Sequence, residues 1–331
     1  MSSTRKRIIV TGAAGFIGAN FIEQCLRQNL PVVSVDRESY FNQRESLKGI
    51  DFQEIVDRDR FLTDLENSRD SETVPHYLKN VMAIVHLGAC TDTTELDVEY
   101  LRKINLEYSK SVWDFAARNK VPLVYASSAA TYGAGELGYS DDESLISKLK
   151  PLNPYGESKR LFDLWVLDQE KQGNTPPTWA GFKFFNVYGA REGHKGKMAS
   201  VVYHSKQQIL KDGEVKLFKS HRPEFKDGEQ KRDFVWVGDL VQVLLFAAQG
   251  KIKRGIFNLG SGGARTFYDL ASAVFDSMGK KRNIRFIDMP KDLQPRYQYY
   301  TEASMNRLRE AGYTTPFHTL EEGVKKTLAS S

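Results

Sequence analysis

Residues 8–18 read Ile-Ile-Val-Thr-Gly-Ala-Ala-Gly-Phe-Ile-Gly, and no other stretch constrains the fold as strongly. A short apolar run breaks into Gly12, Gly15 and Gly18, and an apolar helical pattern follows over 16–29. A strand that turns into a helix at a glycine triplet matches the phosphate-binding turn of a βαβ unit. Glycine permits the tight turn and lets backbone N–H groups approach a pyrophosphate, whose charge the helix N-terminus favours. Such a unit needs a second, parallel strand, and parallel strands are joined by crossover helices.

The rest of the first half supplies them. Apolar runs at 31–36, 81–87, 121–127 and 179–186 read as strands, with a helical pattern at 101–119. Asn153 and Pro154 read as N-cap and first helical position of a helix running to about 172. Beyond Tyr188 the pattern loosens; 219–231 is polar and turn-rich, strands are expected at 232–237 and 255–259, and helices at 267–278 and 301–311. The expected fold is α/β: a Rossmann-type doubly wound parallel sheet with a smaller, interleaved α/β substrate lobe. Residues 1–184 are expected to form the dinucleotide-binding domain, which also receives about 232–262. Segments 185–231 and 263–331 are expected to build mainly the substrate-binding lobe.

Asp36 ends the second strand about 20 residues after the glycine turn, where a carboxylate would meet a ribose hydroxyl. Arg37 follows at once, and its guanidinium suits either a 2′-phosphate or a stack on adenine. The two signals conflict, so NADP and NAD both remain open here. His86-Leu87-Gly88-Ala89 closes another strand with small residues that allow a dinucleotide near; His86 itself reads as a structural histidine.

Tyr155 and Lys159 are four apart on the expected helix and share one face. A free phenol has a pKa near 10, so it needs help to act as a base. A neighbouring ammonium favours the phenolate. Ser128, at a strand end in Ala126-Ser127-Ser128-Ala129, is placed to hydrogen-bond a reacting oxygen. Tyr-x-x-x-Lys alone is weak; with the serine pair and the glycine turn it indicates hydride chemistry at a carbinol carbon.

Composition excludes little but narrows the setting. The charge is +5, from 47 basic and 42 acidic residues, with a mild basic excess between Lys211 and Arg232. That excess reads either as a solvated surface or as a site for a small polyanion such as a diphosphate. No recognisable nucleic-acid module is present, and no stretch has the apolar length of a membrane span. Two cysteines, Cys25 and Cys90, make neither a disulfide framework nor a zinc set and suit a reducing cytoplasm. No metal is expected.

Together TGAAGFIG, ASSAATYG and YGESK resemble the extended short-chain dehydrogenase/reductases that act on nucleotide sugars. Residues 184–196, FFNVYGAREGHKG, with Met198-Ala199-Ser200-Val201, Lys231-Arg232-Asp233-Phe234-Val235 and Arg296-Tyr297-Gln298, resemble the ADP-L-glycero-D-manno-heptose 6-epimerases within them. The resemblance runs nearly end to end. It departs at 134–142, and after Phe218, where Lys219-Ser220-His221-Arg222 opens a longer polar loop.

The resemblance implies an epimerase that inverts C6″ of ADP-D-glycero-D-manno-heptose by transient oxidation to a 6″-ketone, with tightly bound NADP. Hydride leaves one face and returns to the other, so two proton-handling groups are useful. Tyr155 is one; by motif match Lys195 is the other, with Lys159 and Ser128 assisting. Without the resemblance, Lys195 reads as a phosphate-binding or solvated lysine. The resemblance also assigns cofactor contacts to Phe16, Ile17, Arg58, Leu87, Gly88, Ala89, Cys90, Thr91, Asn105 and Val187. It assigns substrate contacts to Ser128, Asn186, Lys197, His204, Phe218, Arg232 and Tyr297. It implies a cytoplasmic homo-oligomer, a pentamer, that supplies a lipopolysaccharide core precursor. Two alternatives stand: another nucleotide-sugar 4-epimerase or dehydratase, and a non-catalytic dinucleotide-binding regulator. Ala129-Ala130-Thr131 after Ser128 offers no carboxylate for dehydration, and the intact Tyr/Lys/Ser set argues against the regulator.

Overall fold

The computed structural model describes residues 6–69, 74–291, 294 and 297–329; Arg296, one of the residues carrying the resemblance, lies outside them. Twelve strands run through the described residues: β1 (Arg7–Thr11), β2 (Val32–Asp36), β3 (Glu54–Asp57), β4 (Val81–His86), β5 (Leu123–Ser128), β6 (Trp179–Phe184), β7 (Asn186–Tyr188), β8 (Val215–Phe218), β9 (Lys231–Trp236), β10 (Ile256–Leu259), β11 (Ala264–Thr266) and β12 (Ile284–Ile287). Seven of them form one all-parallel sheet in the order β10-β6-β5-β4-β1-β2-β3. The order reverses at β1, with Thr11 beside both Val35 and His86. A crevice opens beyond the strand ends at such a switch point, where ligands of open α/β sheets bind.

The central strands are buried on both faces, which explains why they read as continuous apolar runs. One hydrophobic cluster packs the helices Phe16–Arg27 and Val237–Ala248 on one side of the sheet; a second packs Tyr108–Arg118 and Pro154–Lys171 on the other. A third cluster forms under β7, β8 and β9, the helices Val201–Asp212 and Phe267–Ser277, and the last helix, Leu320–Ala329. Here the sheets are small: β11-β9-β7 and β12-β8.

Some boundaries differ from expectation. The strand expected over 179–186 stops at Phe184, and Asn186 begins β7 in a different sheet, so the chain crosses between lobes at Phe185. The expected strand at 232–237 is β9 of the three-stranded sheet, while β10 returns to the edge of the large one. The expected helix at 301–311 is only Asn306–Glu310. The 101–119 helix is interrupted by a π-helical turn at Arg102–Glu107, a distortion with no period of its own to read. Asn153 caps Pro154–Lys171 as expected: its Oδ1 accepts the Gly156 N–H at 2.8 Å. No described helix is long and apolar enough to cross a membrane.

Candidate active site

The crevice is a cleft of about 560 Å³, and most of the expected cofactor residues line it. Its floor is the glycine turn. Gly12 has φ +69°, and a Cβ there would lie 2.7 Å from the Gly88 nitrogen. A Cβ on Gly18 would lie 2.1 Å from the Gly12 carbonyl oxygen. The turn is therefore closed by the absence of side chains, leaving room above it for a pyrophosphate. Asp36 stabilises this turn: its Oδ2 accepts the Ala14 N–H at 3.0 Å and its Oδ1 the Arg37 N–H at 2.8 Å. Burial pushes its carboxyl above the usual range, against those two N–H groups and the Arg44 and Arg58 charges.

Arg37, Arg44 and Arg58 gather at this end with Tyr40. The Arg44 guanidinium donates to the Ala14 carbonyl at 2.6 Å and lies 3.8 Å from the centre of the Tyr40 ring. Phe16, Ile17, Gly15, Leu87, Gly88, Ala89, Cys90, Thr91 and Val187 line the cleft as well. Asn105 stands behind the wall. Its carboxamide accepts the Cys90 N–H at 2.8 Å and donates to the Cys90 carbonyl and Ser158 hydroxyl, each at 3.0 Å. The π-turn carries Asn105 to this clamp. His86 is enclosed between the Thr11 hydroxyl, 2.7 Å from Nδ1, and the Ser109 hydroxyl, 2.9 Å from Nε2. These glycines, small residues and arginines fit a nicotinamide dinucleotide.

Ser128, Tyr155 and Lys159 share one wall of the cleft. Ser128 is the last residue of β5; its Oγ accepts the Ala130 N–H at 3.1 Å, and its hydroxyl favours the ionised form of the Tyr155 phenol beside it. Lys159 is almost wholly buried, and its Nζ donates to the Ala126 carbonyl at 3.0 Å. Burial lowers its pKa to about 8, with the Asp163 and Cys90 charges opposing. The expected depression of the Tyr155 phenol is not produced by the protein alone. Burial pushes that phenol up and the Ser128 hydroxyl pulls it down, while the Lys159 ammonium is turned to a backbone carbonyl.

Lys195 lines the cleft from the second lobe. It lies in a 3₁₀ stretch, Gly193–Met198, that is kinked at Gly196 (φ +53°) and follows Arg191, whose φ is +76°. The Arg191 guanidinium forks onto Glu23, with Nε and Nη2 at 3.0 and 2.8 Å from the carboxylate, and donates from Nη1 to the Ser46 carbonyl at 2.7 Å. Lys195 Nζ sits 5.0 Å from the centre of the Phe16 ring and 3.8 Å from Glu192. Burial lowers its pKa and Glu192 opposes. His194, beside the Ser46 hydroxyl, is pushed down to about 4 by burial and by the Arg44 and Lys195 charges.

Of the expected substrate residues, Ser128 lines the cleft and the others stand apart from this group. Asn186 and Lys197 are exposed, and His204 packs edge-on against Tyr203. Phe218, Arg232 and Tyr297 form a cluster of their own. Arg232 lies between the Tyr297 and Phe267 rings, 5.2 and 5.6 Å from their centres, and donates to the Lys231 and Gln298 carbonyls. Tyr299 extends this aromatic group to His221 and Phe225. Arg44, Tyr40 and Met198 line the cleft without having been expected there. Arg44 is brought in by the turn after the short helix Glu38–Gln43, which no periodicity announces.

The model of the NAD dependent epimerase/dehydratase family matches residues 8–260. The chain is similar to the ADP-L-glycero-D-manno-heptose-6-epimerase of Fusobacterium nucleatum subsp. nucleatum, 45% identical over 327 residues and 96% of each chain. It is 42% identical to that of Nitratidesulfovibrio vulgaris over 317 residues, covering 96% of this chain and 95% of the relative. The crystal structure of Helicobacter pylori ADP-L-glycero-D-manno-heptose-6-epimerase superposes with a TM-score of 0.79 at 28% identity, over 98% of this chain and 96% of the other. The Thermus thermophilus UDP-glucose 4-epimerase complex with NAD shares the fold, with a TM-score of 0.73 at 24% identity over 98% of both chains.

Proposed function

This chain belongs to the NAD dependent epimerase/dehydratase family, and on that premise we propose that it converts ADP-D-glycero-D-manno-heptose to its L-glycero epimer at C6″. One observation carries the reading: Ser128, Tyr155 and Lys159 on one wall, and Lys195 from the other lobe, line a single cleft above the glycine turn. When bound, the nicotinamide dinucleotide supplies the acceptor of hydride from C6″ and, reduced, its donor. Tyr155 handles the proton of the C6″ oxygen in one orientation of the sugar, and the Ser128 hydroxyl holds that oxygen. Lys195, whose charged form burial disfavours, handles the proton in the other orientation. Lys159 keeps a positive charge beside the site. The Arg232 cluster, with Asn186, Lys197, His204, Phe218 and Tyr297, serves the nucleotide diphosphate end.

The finer cofactor reading is NADP. Asp36 already accepts two backbone N–H groups, and three guanidinium groups stand at the same end of the cleft. That surplus of positive charge suits a 2′-phosphate. Mass spectrometry of the nucleotide carried through purification tests it; NAD alone would refute it. The resemblance further supports a cytoplasmic homo-oligomer, pentameric in form, supplying a lipopolysaccharide core precursor; light scattering on the purified protein reads the oligomer.

The reaction is tested by incubating the pure protein with ADP-D-glycero-D-manno-heptose and resolving the two epimers. Formation of the L-glycero product supports the proposal. Turnover of a UDP-hexose with none of the heptose would sink it.

A further inference from the structure

Among the described residues, Lys183 and Asp163 form the ion pair whose two side chains are both fully shielded from solvent. Asp163 Oδ2 accepts from Lys183 Nζ at 2.6 Å and from the Ser127 hydroxyl at 2.8 Å, and Oδ1 accepts from the Tyr125 hydroxyl at 3.2 Å. Lys183 Nζ also donates to the Thr131 hydroxyl at 2.8 Å and lies 5.4 Å from the centre of the Tyr132 ring. Thr131 in turn donates to the Ser128 carbonyl at 2.8 Å. Every polar atom of the pair is therefore engaged.

Burying two charges is costly, and an apolar pair of similar volume is often at least as stable. Stability alone does not account for an ion pair here; its position does. Asp163 follows Lys159 by four residues and Tyr155 by eight, so the three share a face of the helix Pro154–Lys171. Lys183 is the register partner of Ser127 across β5 and β6. The end of β5 thus meets three groups in succession. Ala126 offers its carbonyl to Lys159, Ser127 offers its hydroxyl to Asp163, and Ser128 lines the cleft with Tyr155. The pair grips the middle of this run through Ser127 and its end through Thr131.

We propose that Asp163 and Lys183 are positioning residues, which hold the end of β5 against the helix so that the Ser128 hydroxyl, the Tyr155 phenol and the Lys159 ammonium keep one mutual geometry. The inference rests on the reading of those three as the centre of the reaction. Asp163 has a second effect on the same centre. Lys159 faces Asp163 on its own helix, Cys90 after β4, and His86 on β4. Of these, the Asp163 carboxylate is the leading influence that favours its charged form, against the burial that disfavours it.

The test uses the full-length holoenzyme and two kinds of variant. The double variant Asp163→Asn/Lys183→Met removes both charges and strands neither. Ser127→Ala and Thr131→Val leave the pair in place and cut its two links to the end of β5. The expected result is retained nucleotide, a KM for the sugar nucleotide within about twofold of the parent, and kcat lower by about tenfold or more, as small displacements of reacting groups produce. In the double variant the limb of the kcat–pH profile that belongs to Lys159 moves to lower pH, because the carboxylate favouring the ammonium is gone. If the double variant does not fold, the two link variants decide by the same kcat criterion. Parental kcat in every folded variant, with an unmoved pH profile, overturns the inference. Tyr155→Phe separates the two levels of the argument. If it is inactive while these variants match the parent, only the role of the pair fails; if it turns over normally, the reading of the centre itself fails.

Discussion

Glu192 and Lys195 bring opposite charges to 3.8 Å across one turn of chain, with the Glu192 side chain wholly shielded from solvent. The same carboxylate accepts the Gly189 N–H at 2.9 Å, the Ser200 N–H at 2.6 Å and the Ser200 hydroxyl at 2.7 Å. It both closes the loop and favours the ammonium of Lys195, against a burial that disfavours it. In Glu192→Gln the limb of the kcat–pH profile belonging to Lys195 should move to lower pH, since the charge raising its pKa is lost. Unsatisfied N–H groups should also cost about 1–3 kcal/mol of stability. A profile that stays in place would disconnect Lys195 from proton handling.

Lys195→Met keeps the length of the side chain and removes its proton. Epimerisation should fall by about 10²–10⁴, the usual worth of a general acid–base group, with the dinucleotide still bound. Near-parental turnover would make Lys195 an ordinary loop lysine.

Gly18→Ala should yield a protein without nucleotide, because the new methyl group would sit 2.1 Å from the Gly12 carbonyl oxygen. The phosphate turn and the start of the helix Phe16–Arg27 cannot both keep their geometry. Destabilisation of about 1–3 kcal/mol is the ordinary range for such overpacking, and more is expected where backbone is struck. Gly263→Ala is the control, since nothing lies within 4 Å of a Cβ there. Nucleotide absorbance and the thermal midpoint read both variants.

His86 should make the fold sensitive to acid. Burial, with the Lys159 charge, lowers its pKa from 6.5 to about 3. Between those values the unfolded chain binds a proton that the folded chain refuses, so stability is full above pH 6.5 and declines as pH falls. The slope from this residue is about 1.4 kcal/mol per pH unit. Denaturant titrations of the parent and of His86→Gln across that window should differ by this slope; parallel curves would mean that His86 is not held neutral.

The site was legible where its code is local. Gly12, Gly15 and Gly18 follow from what a strand-to-helix turn over a phosphate requires, and Asp36 from the length of one βαβ unit. Tyr155 and Lys159 follow from the helical period, and Asn153-Pro154 marked where that helix begins. The clamp by Asn105 was less legible: the residue was expected at the cofactor, but the π-turn that carries it has no signature in the pattern of apolar residues. Arg44 was missed for a related reason, since its six-residue helix is too short to show a period.

By itself, then, the sequence determined the parallel sheet, the phosphate turn and the placing of Tyr155 and Lys159 on one helix face. Each is dictated by covalent geometry and backbone hydrogen bonding within one or two adjoining elements. Only the tertiary structure decided which residues stand behind them and across from them. Arg191 reaches Glu23 over 168 residues of chain, and Lys183 meets Ser127 and Asp163 because β6 lies beside β5 and beneath the helix. Those partners are selected by packing, where a buried charge must find its opposite wherever the fold brings one, and no spacing along the chain records that choice.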